Sequence, residues 1–554
     1  MKYIPQLPLS QYYYISKNKA QAILSDGAQL WIEAEESEMG SIKDSGVIFK
    51  CKLPPGKKAL PCKWVYALKT DSNNVIVRYK ARLVVRGDFQ IDGSDYGEIF
   101  SPVVRWESIR LFLALTVLLK LIPLQLDVDT AFLLADLDEG IYMNPPPGDN
   151  LEDGFVYRLK KSLYGLKQAG RNWNQLLNNI LQDYKFVRID SDHCLYIRYE
   201  GGKVTLLFIY VDDIYIAASD KESLNLLVEY LQGHFKLKLL GVPQQLLGLV
   251  LTWGENFSSV HLSCAKHVKK LLEQFEGQFK SRNVPMDSRV KLNKEDTLRE
   301  TKDRRLTKEE KKMQKEYSSI AGALIFLATT CRPDLAYATN ILCRSMAFPG
   351  YSHWDAAMYC LGYLSTTVHL GIEYSSNGNT RPYGYCDADF GADESRQTTS
   401  GYMFFLAGGP FSWKSELLKV VSFSTVESEV HGVDAALPAI RECCWIIKVL
   451  EEIGSNILGP TPFNEIELHT PKNCEALIVF EDNQACTRYA KNPVHHSTMK
   501  HLDRGLKWIQ QDHLKNTFKL VYVETINQLA DVFTESLEAS VFWNLVNRFM
   551  GYAQ

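Results

Sequence analysis

The sequence predicts a multidomain α/β protein, and three observations lead to this fold class. The chain has 554 residues, which is too long for one hydrophobic core and corresponds to several units of ordinary size. With 46% hydrophobic and 23% charged residues, its composition is that of a globular protein. Strand-like and helix-like hydrophobic patterns follow one another along the chain, and acidic residues stand at the ends of several elements.

The first informative element is a strand that carries an acidic residue near its end. Between Leu124 and Val128, apolar residues alternate with Gln125 and Asp127, which is the two-residue period of a half-buried strand. Asp127 lies on the polar side of this strand. It can share a site with other carboxylates if a neighbouring strand of the same sheet presents them.

The second element is a β-hairpin with two carboxylates at its tip. The apolar runs 204–209 and 214–218 predict the two strands, with Asp212 and Asp213 between them. A hairpin tip presents acidic oxygens to a hard cation without burying unpaired charge, and Mg²⁺ prefers such ligands. Adjacent aspartates are also ordinary turn residues. The pair therefore indicates a metal site only together with a third carboxylate, for which Asp127 is the candidate.

Helical spacing follows the hairpin, at 221–235 and at 261–275. The strongly charged span 288–316 predicts a flexible linker or an exposed helix. The more apolar block 317–374 has helical patterning and is expected to pack as a connecting domain.

From residue 381 the pattern changes to short strands followed by helices. Strands are expected at 383–387, 400–406, 410–414, 476–482 and 519–523, with a mostly helical span at 427–453. Pro438 lies inside that helical span and is expected to kink or split it. Acidic residues at the ends of these elements outline one α/β layer with an acidic crevice.

Charge is distributed unevenly along the chain. The formal net charge of −3 argues against a protein whose whole surface binds a polyanion. Two local clusters are basic, however, and nucleic-acid affinity follows the local footprint more than the total charge. The clusters are Arg78, Lys80, Arg82 and Arg86, and Lys266, Lys269, Lys270, Lys280 and Arg282. The alternative for the second cluster is a solvated helix face.

Cysteine usage and hydropathy exclude other classes. The 12 cysteines are scattered without zinc-finger spacing, which favours reduced thiols over disulfides or structural zinc. The beginning of the chain lacks a signal-peptide core, and the apolar stretch 111–119 is shorter than the about 20 residues of a membrane span. We therefore expect a soluble protein that is not secreted.

Several motifs, taken in order, resemble those of copia-type retrotransposon reverse transcriptases. The polymerase motifs are QLDVDTAF at 125–132, KSLYGLKQA at 161–169, SDHCLY at 191–196 and YVDD at 210–213. Upstream, the segments 63–65, 78–84 and 100–103 are similar to the fingers region of the same family. Downstream, 331–337 and 384–389 continue the resemblance into the connecting region and the ribonuclease H domain. The resemblance extends from about residue 30 to the C-terminus.

This resemblance implies a right-hand polymerase with fingers, palm and thumb, followed by a connection and a ribonuclease H-like domain. The implied boundaries are 1–220 for fingers and palm, 221–287 for lower palm and thumb, 288–380 for the charged linker and connection, and 381–554 for the ribonuclease H-like domain. Such a protein copies retrotransposon RNA into DNA and degrades the RNA of the hybrid. Its partners would be an RNA template, a DNA primer, the RNA–DNA hybrid and deoxynucleoside triphosphates, with no membrane. Its location would be cytoplasmic, in a virus-like particle, or nuclear.

For the polymerase site, the resemblance implies that Asp127, Asp212 and Asp213 hold two Mg²⁺ or Mn²⁺ ions. The residues expected to contact substrate are Lys80 and Arg82 at the triphosphate, Gln168 and Tyr210 at the nucleotide pocket, and Phe132 as the wall that rejects a ribose 2′-hydroxyl. Four of these residues have a structural alternative: Lys80 and Arg82 as an exposed strand face, Phe132 as core, and Gln168 as a helix cap.

For the ribonuclease H site, the resemblance implies four acids, which are Asp387, Glu429, Asp482 and Asp531. Glu427 is a nearby alternative to Glu429. Four clustered carboxylates repel one another unless cations are present, so this site also implies two bound Mg²⁺ or Mn²⁺ ions.

Some positions depart from the family's usual pattern without removing an expected metal ligand. Asp129 stands where a lysine is common, Gly170 where a proline is common, and Leu239 where an acidic residue is common. The pairs Leu134–Ala135 and Glu535–Ser536 replace Asn–Gly and Lys–Pro. Asp129 matters most, since an extra carboxylate beside Asp127 could weaken triphosphate binding. The departures leave two alternatives open: a catalytically inactive nucleic-acid-binding remnant, and a protein that is a nuclease alone.

Overall fold

A computed structural model describes residues 18–70, 75–149, 151–290, 292, 296–301, 304–390, 397–421, 425–458, 477–484 and 518–552. The helices, in chain order, are α1 (Lys19–Ile23), α2 (Ala28–Asp44), α3 (Trp106–Leu118), α4 (Ala169–Asp183), α5 (Lys221–Gln232), α6 (Ala265–Gln274), α7 (Lys308–Thr330), α8 (Ala336–Cys343), α9 (Tyr351–Thr366), α10 (Thr425–Leu458) and α11 (Ala539–Val546). The strands are β1 (Ile48–Lys52), β2 (Ala59–Leu60), β3 (Cys62–Thr70), β4 (Ile76–Val85), β5 (Ile122–Val128), β6 (Tyr142–Met143), β7 (Phe155–Leu159), β8 (Val187–Arg188), β9 (Leu195–Glu200), β10 (Lys203–Tyr210), β11 (Asp213–Ala218), β12 (Leu237–Gly241), β13 (Gln245–Leu246), β14 (Leu249–Trp253), β15 (Ser259–Ser263), β16 (Leu370–Ser375), β17 (Tyr383–Phe390), β18 (Gln397–Leu406), β19 (Gly409–Val421), β20 (Leu477–Glu481), β21 (Phe518–Tyr522) and β22 (Gly551–Tyr552). The predicted multidomain α/β fold class is confirmed.

The N-terminal unit lies within 1–220, the span expected to form the fingers and palm. Its four-stranded sheet has the order β1-β7-β6-β2, and β3 and β4 form a separate antiparallel hairpin. Trp31 of α2 packs edge-on against Tyr66 and Tyr79 of this hairpin, with ring centroids 5.0 and 4.6 Å away. These aromatic rings belong to a hydrophobic core of the unit's own.

The palm is a six-stranded sheet in the order β12-β5-β11-β10-β9-β8. The central strands β10 and β11 are apolar without alternation because helices cover both faces of the sheet. Phe208 and Tyr215 point to the core that contains α3, whereas Ile209 and Ile214 point to the core that contains α4 and α5. This two-sided burial explains why the hairpin runs are continuously apolar in the sequence.

A third sheet joins distant parts of the chain, in the order β13-β14-β15-β16-β22. Its strands come from the spans expected as thumb, connection and ribonuclease H-like domain. The helical prediction for 261–275 is wrong at its start, because β15 pairs with both β14 and β16 and helix α6 begins only at Ala265. In the charged span, α7 begins with a reciprocal capping box between Thr307 and Glu310.

The fourth large sheet has the order β19-β18-β17-β20-β21. Strands β17, β18 and β19 are antiparallel, whereas β20 and β21 run parallel to β17. Helix α10 contacts β17 and β18. It continues through Pro438, so the proline does not split the helix; the next residues, Ala439 and Ile440, are fully buried.

One hydrophobic core runs from the palm through the connection into the ribonuclease H-like sheet. The buried Arg110 of α3 links the palm to the connection and to the C-terminal sheet. Its guanidinium donates to the carbonyl oxygens of Phe411 (2.6 Å), Thr329 (2.6 Å) and Thr330 (2.9 Å), and it lies 3.7 Å from the centroid of Trp413. The palm and the C-terminal sheet therefore pack directly against each other.

Cys264 and Cys331 lie side by side, with their Cα atoms 6.7 Å apart. This separation is within the range that a disulfide can span, and the expectation of reduced thiols stays a prediction for this pair. Both cysteines are buried where β15 and the end of α7 meet. Their separation of 67 residues in the chain does not reveal this proximity.

Among the helices of the described ranges, none combines the length and the apolar character that crossing a membrane requires.

Two candidate carboxylate sites

The first site lies where β5 and β11 meet in the palm sheet. In their antiparallel register, Asp127 and Asp213 are direct partners on neighbouring strands, so their side chains emerge on the same face. Asp212 follows at the hairpin tip, and its carbonyl oxygen accepts a hydrogen bond from the Val128 amide at 3.0 Å. The register thus places Asp127 beside Asp213, with Asp212 adjoining in the chain. In the described part of the chain, these three residues are not among the acidic groups whose carboxylate oxygens all lie within 4.8 Å of one another.

The hairpin tip has an unusual backbone conformation. Val211 has a φ of 57°, which is in the left-handed region, where a β-branched residue is strained. The indole nitrogen of Trp173, on α4, donates to the Val211 carbonyl oxygen at 2.6 Å. Two hydrogen bonds from different elements, through Trp173 and Val128, therefore hold the strained turn in place and fix where Asp212 and Asp213 emerge.

The electrostatics of this site fit a hard cation. Burial raises the pKa of Asp213, and the neighbouring charges of Asp212 and Asp127 raise it further, whereas a hydrogen bond from the Gln125 amide at 3.2 Å opposes them. Carboxylate oxygens that repel one another in a partly buried position are ligands of the kind that Mg²⁺ and Mn²⁺ take.

Lys238 is a further residue of this site, and the sequence analysis did not identify it. It lies on β12, directly opposite Asp127, and its ammonium is 3.1 Å from Asp127 Oδ2. It also forms an ion pair with Asp129. The sequence points to Lys238 only indirectly, through Asp129, an unusual carboxylate beside Asp127 that needs a positive partner.

The residues expected at the triphosphate lie on β4. Lys80 and Arg82 share the face of the strand opposite to the buried Tyr79, Ala81 and Leu83. Burial lowers the pKa of Lys80, and the neighbouring cations Arg82, Lys69 and Arg78 lower it further, whereas the carboxylate of Glu38 opposes them. The cations on this face repel one another, and a bound anion would reduce that repulsion.

Tyr164 connects this basic strand to the carboxylates. Its ring is 5.6 Å from that of Phe132, and the Arg82 guanidinium lies 5.4 Å from its centroid. Burial raises the pKa of Tyr164 to about 12, with a smaller contribution from Asp212. Phe132 and Arg82 thus meet at one aromatic side chain near Asp212, and Tyr164 lies within the motif at 161–169.

Gly165 explains how that motif docks against β4. Its φ is 91°, and a Cβ atom there would lie 2.1 Å from the carbonyl oxygen of Val85. The Val85 amide donates to the Tyr164 carbonyl oxygen at 2.8 Å. Only glycine permits this approach, which sets Tyr164 beside the end of the basic strand.

Gln168 and Tyr210 occupy more constrained positions than expected for freely exposed substrate ligands. Gln168 is buried; its amide donates to the Asp95 carbonyl oxygen at 2.9 Å and accepts from Gln90 at 3.0 Å. It is the N-cap residue of α4, but its side chain makes no capping hydrogen bond. Tyr210 is the last residue of β10, half-buried and paired with Asp213.

The second site lies at one edge of the ribonuclease H-like sheet. Asp387 is on β17, and Glu481 and Asp482 stand at the end of the parallel strand β20. One carboxylate oxygen from each of these three residues lies within 4.8 Å of the other two. Carboxyl ends of parallel strands meet at the same edge of a sheet, which explains the convergence.

Asp531 belongs to the same cluster. Burial raises its pKa to about 8, with further contributions from the charges of Asp387, Asp482 and Glu535. Burial likewise raises the pKa of Asp387 to about 6, although the Thr534 hydroxyl donates to it at 2.5 Å. Without a cation, these buried carboxyl groups retain protons that exposed aspartates would have lost.

Glu481 was missed by the sequence analysis. It is buried with the carboxyl group accepting from the Cys386 thiol at 3.1 Å and from the Asn483 amide at 3.1 Å. Burial raises its pKa well above the ordinary value. The sequence did contain a pattern that points to Glu481, since Leu477, Val479 and Glu481 alternate on the buried face of β20.

Of the four predicted acids, Glu429 lies on α10, but its side chain is outside the described residues, as is that of Glu427.

Comparisons with known proteins agree with the motifs. Residues 47–287 match the family described as "Reverse transcriptase (RNA-dependent DNA polymerase)". The chain is 34% identical over 549 residues to a retrovirus-related Pol polyprotein from transposon TNT 1-94 of Nicotiana tabacum, covering 97% of this chain and 39% of that protein. It is 33% identical over 492 residues to one from transposon RE1 of Arabidopsis thaliana, covering 88% and 31%. The chain thus spans 39% and 31% of the length of these two plant relatives.

A shorter relative is covered almost completely. The chain is 34% identical over 309 residues to a transposon Ty5-1 protein of Saccharomyces cerevisiae, covering 55% of this chain and 96% of that protein. Among solved structures, a foamy viral protease-reverse transcriptase in complex with double-stranded DNA has a TM-score of 0.45 at 12% identity, covering 89% of this chain and 69% of that one.

Proposed function

The chain belongs to the reverse transcriptase family of copia-type retrotransposon Pol polyproteins, and from this premise we propose that it copies RNA into DNA and cleaves the RNA strand of the hybrid. The observation that carries the proposal is the register of Asp127 against Asp213, with Asp212 at the adjoining tip. The cluster of Asp387, Glu481 and Asp482 supports the second activity.

In the polymerase reaction, Asp127, Asp212 and Asp213 would hold Mg²⁺ or Mn²⁺. Divalent ions at such a site lower the pKa of a primer 3′-hydroxyl and neutralise the phosphates of the incoming nucleotide. The work of the chain itself is alignment. The Gln125 amide orients Asp213, while the hydrogen bonds of Trp173 and Val128 to the tip keep the acids in register.

The nucleotide would lie between β4 and the hairpin tip. Lys80 and Arg82 would bind the triphosphate, and the like-charge repulsion on β4 supports this role, because an anion relieves it. Phe132, backed by Tyr164, would exclude a ribose 2′-hydroxyl. Tyr210 would border the pocket beside Asp213. Gln168 would shape the pocket from behind, because its amide is already engaged with Gln90 and Asp95.

In the nuclease reaction, Asp387, Glu429, Asp482 and Asp531 would hold Mg²⁺ or Mn²⁺, two ions per site. The donor set fits such ions: these are oxygen ligands, and the described ion pairs and hydrogen bonds give Asp387, Asp482 and Asp531 no basic partner. Thr534 and Thr525 donate to Asp387 and Asp482, at 2.5 and 2.7 Å, and so set the direction of each carboxylate.

The partners that follow from this proposal are an RNA template, a DNA primer, the RNA–DNA hybrid and deoxynucleoside triphosphates. Exposed lysines on α6, opposite the buried Val268 and Leu271, offer a surface for a phosphate backbone. The protein would act in the cytoplasm, within a virus-like particle, or in the nucleus.

Primer extension on an RNA template with Mg²⁺ tests the first activity. We expect incorporation by the native chain and its loss in Asp212→Asn.

Cleavage of an RNA–DNA hybrid tests the second activity, with loss expected in Asp482→Asn. Retained cleavage in that variant would overturn the second metal site.

A catalytically inactive nucleic-acid-binding remnant is the second candidate, and one observation favours it. Lys238 pairs with a carboxylate that the polymerase reaction needs for a metal ion. Hybrid binding without incorporation or cleavage by the native chain, at any Mg²⁺ or Mn²⁺ concentration tried, would establish this alternative.

A further inference from the structure

Three charged side chains lie side by side across neighbouring strands of the palm sheet, and a fourth follows just beyond the end of β5. Lys238 of β12 is opposite Asp127 of β5, which in turn is opposite Asp213 of β11. Neighbouring strands are about 4.8 Å apart, so partners in register present side chains to the same face. Asp129 is two residues beyond Asp127 and reaches the same ammonium. A cation of the chain itself thus stands beside the predicted metal ligands.

The ammonium of Lys238 competes for the lone pairs that a metal ion would need. It lies 3.1 Å from Asp127 Oδ2, and a divalent ion bound to the same oxygen would repel it. Asp129 offers it a second acceptor that is not among the predicted metal ligands. Both side chains of the Lys238–Asp129 pair are about half exposed, at 51% and 42%, so the ammonium has room to move.

We propose that Lys238 and Asp129 form a movable counter-ion pair that sets the metal affinity of the polymerase site. Without a divalent ion, the ammonium bridges Asp127 and Asp129; when the ion binds Asp127, the ammonium shifts onto Asp129 alone. The pair makes Lys238 a positioning residue. This inference rests on the proposed function, because it takes the three palm acids as metal ligands.

The two members of the pair have opposite predicted effects. Lys238→Gln removes the competing cation, so the site should bind a divalent ion about 3- to 10-fold more tightly. Asp129→Asn removes the alternative acceptor and one negative charge, so the ion should bind about 3- to 10-fold more weakly. The double variant should return close to the native affinity, and Lys238→Arg, which keeps the charge, should stay within about two-fold of it.

Titration of the full chain with Mn²⁺, followed by electron paramagnetic resonance without nucleic acid, measures this directly. All variants carry Asp387→Asn and Asp482→Asn, which weaken the second site, so that the tightest ions belong to the palm. Lys221→Gln, which removes an exposed lysine on α5, is the matched control and should leave the affinity unchanged. Melting temperatures verify folding, and Lys238→Met and Asp129→Ser serve as second variants.

The outcomes separate the inference from the function on which it rests. Shifts of opposite sign for Lys238→Gln and Asp129→Asn support the counter-ion pair. If Asp213→Asn abolishes Mn²⁺ binding but the two substitutions shift it in the same direction or not at all, the counter-ion pair is wrong and the metal site stands. If Asp213→Asn leaves Mn²⁺ binding unchanged, the palm acids are not the ligands, and the proposed function fails with the inference.

Discussion

The two carboxylate sites solve the same electrostatic problem differently. In the palm, Asp127 and Asp213 lie opposite each other on adjacent antiparallel strands, and Lys238 supplies a positive charge beside them. In the C-terminal sheet, Asp387, Glu481 and Asp482 meet at the ends of parallel strands, in a more buried position without a basic partner among the described contacts. Burial and mutual repulsion there leave protonation as the way to remove charge when no ion is bound.

Two sites with the same kind of ligands can therefore respond differently to pH and to changes in neighbouring charges. The palm site should respond mainly to changes in its own charged neighbours, since its acids are partly exposed and compensated. The second site should respond to pH, because burial raises the pKa of Asp387 to about 6 and that of Asp531 to about 8.

The largest expected effect is the separation of the two activities. Asp127→Asn should lower primer extension by on the order of 10³-fold while leaving hybrid cleavage intact, and Asp387→Asn should do the reverse, because each substitution removes a metal ligand from one site. Parallel assays of both activities on the same preparations measure this. Glu276→Gln, an exposed acid beyond α6, should change neither. Loss of both activities in either variant would mean that the sites are not independent.

A smaller effect is expected from the aromatic wall of the palm. Phe132→Ala should raise the incorporation of ribonucleotides relative to deoxyribonucleotides by about 10- to 100-fold, because the contact of Phe132 with Tyr164 would no longer exclude a 2′-hydroxyl. Competition between the two nucleotide types in primer extension measures the ratio. Hybrid cleavage is the internal control for folding. An unchanged ratio with reduced stability would assign Phe132 to the core alone.

The hairpin tip allows a subtler test of positioning. Trp173→Phe keeps the ring packed against Phe235 but removes the donor to the Val211 carbonyl oxygen, so the strained turn should relax. We expect primer extension to fall about 10-fold, the equivalent of one lost hydrogen bond to an oriented group, with hybrid cleavage unaffected. Unchanged extension would show that the Val128 amide alone suffices to hold the tip.

The smallest effect concerns stability and pH. The pKa of Asp531 is raised from 3.8 to about 8, so the folded state binds this proton more tightly than the unfolded state. The stability that results is present at low pH and is lost as pH rises between these two values. In metal-free buffer, Asp531→Asn should therefore melt a few degrees higher than the native chain at pH 8.5 and equally at pH 4. A melting difference that does not depend on pH would contradict the shifted pKa.

The local hydrophobic pattern was sufficient to predict the strands that carry the palm acids. The alternation of residues 124–128 placed Asp127 on the polar side of a strand, and the apolar runs around Asp212 and Asp213 defined a hairpin, so their adjacency in one sheet followed once the strands paired. The predicted strands and long helix of the C-terminal region also correspond to β17–β21 and α10. These successes share a cause, because hydrophobic periodicity reports directly on which face is buried.

Other features depended on which elements became neighbours. Lys238 could not be found because β12 pairs with β5 across more than a hundred residues of chain. His261 was expected in a helix, yet its strand is fixed by partners on both sides. Cys264 and Cys331 meet only through packing of the connection. Long-range pairing of this kind leaves no periodic trace in a single sequence.

Residue type, order and local period were enough to predict the fold class, the family and most of the acids considered as metal ligands, although Glu481 was not among them. Only the tertiary structure decided how each acid is compensated: that a lysine stands beside Asp127, and that Glu481 joins Asp387 and Asp482 without a basic partner among the described contacts. The physical reason is that desolvation and Coulomb interactions depend on distances in space, and the sheet registers that set these distances are properties of the whole fold.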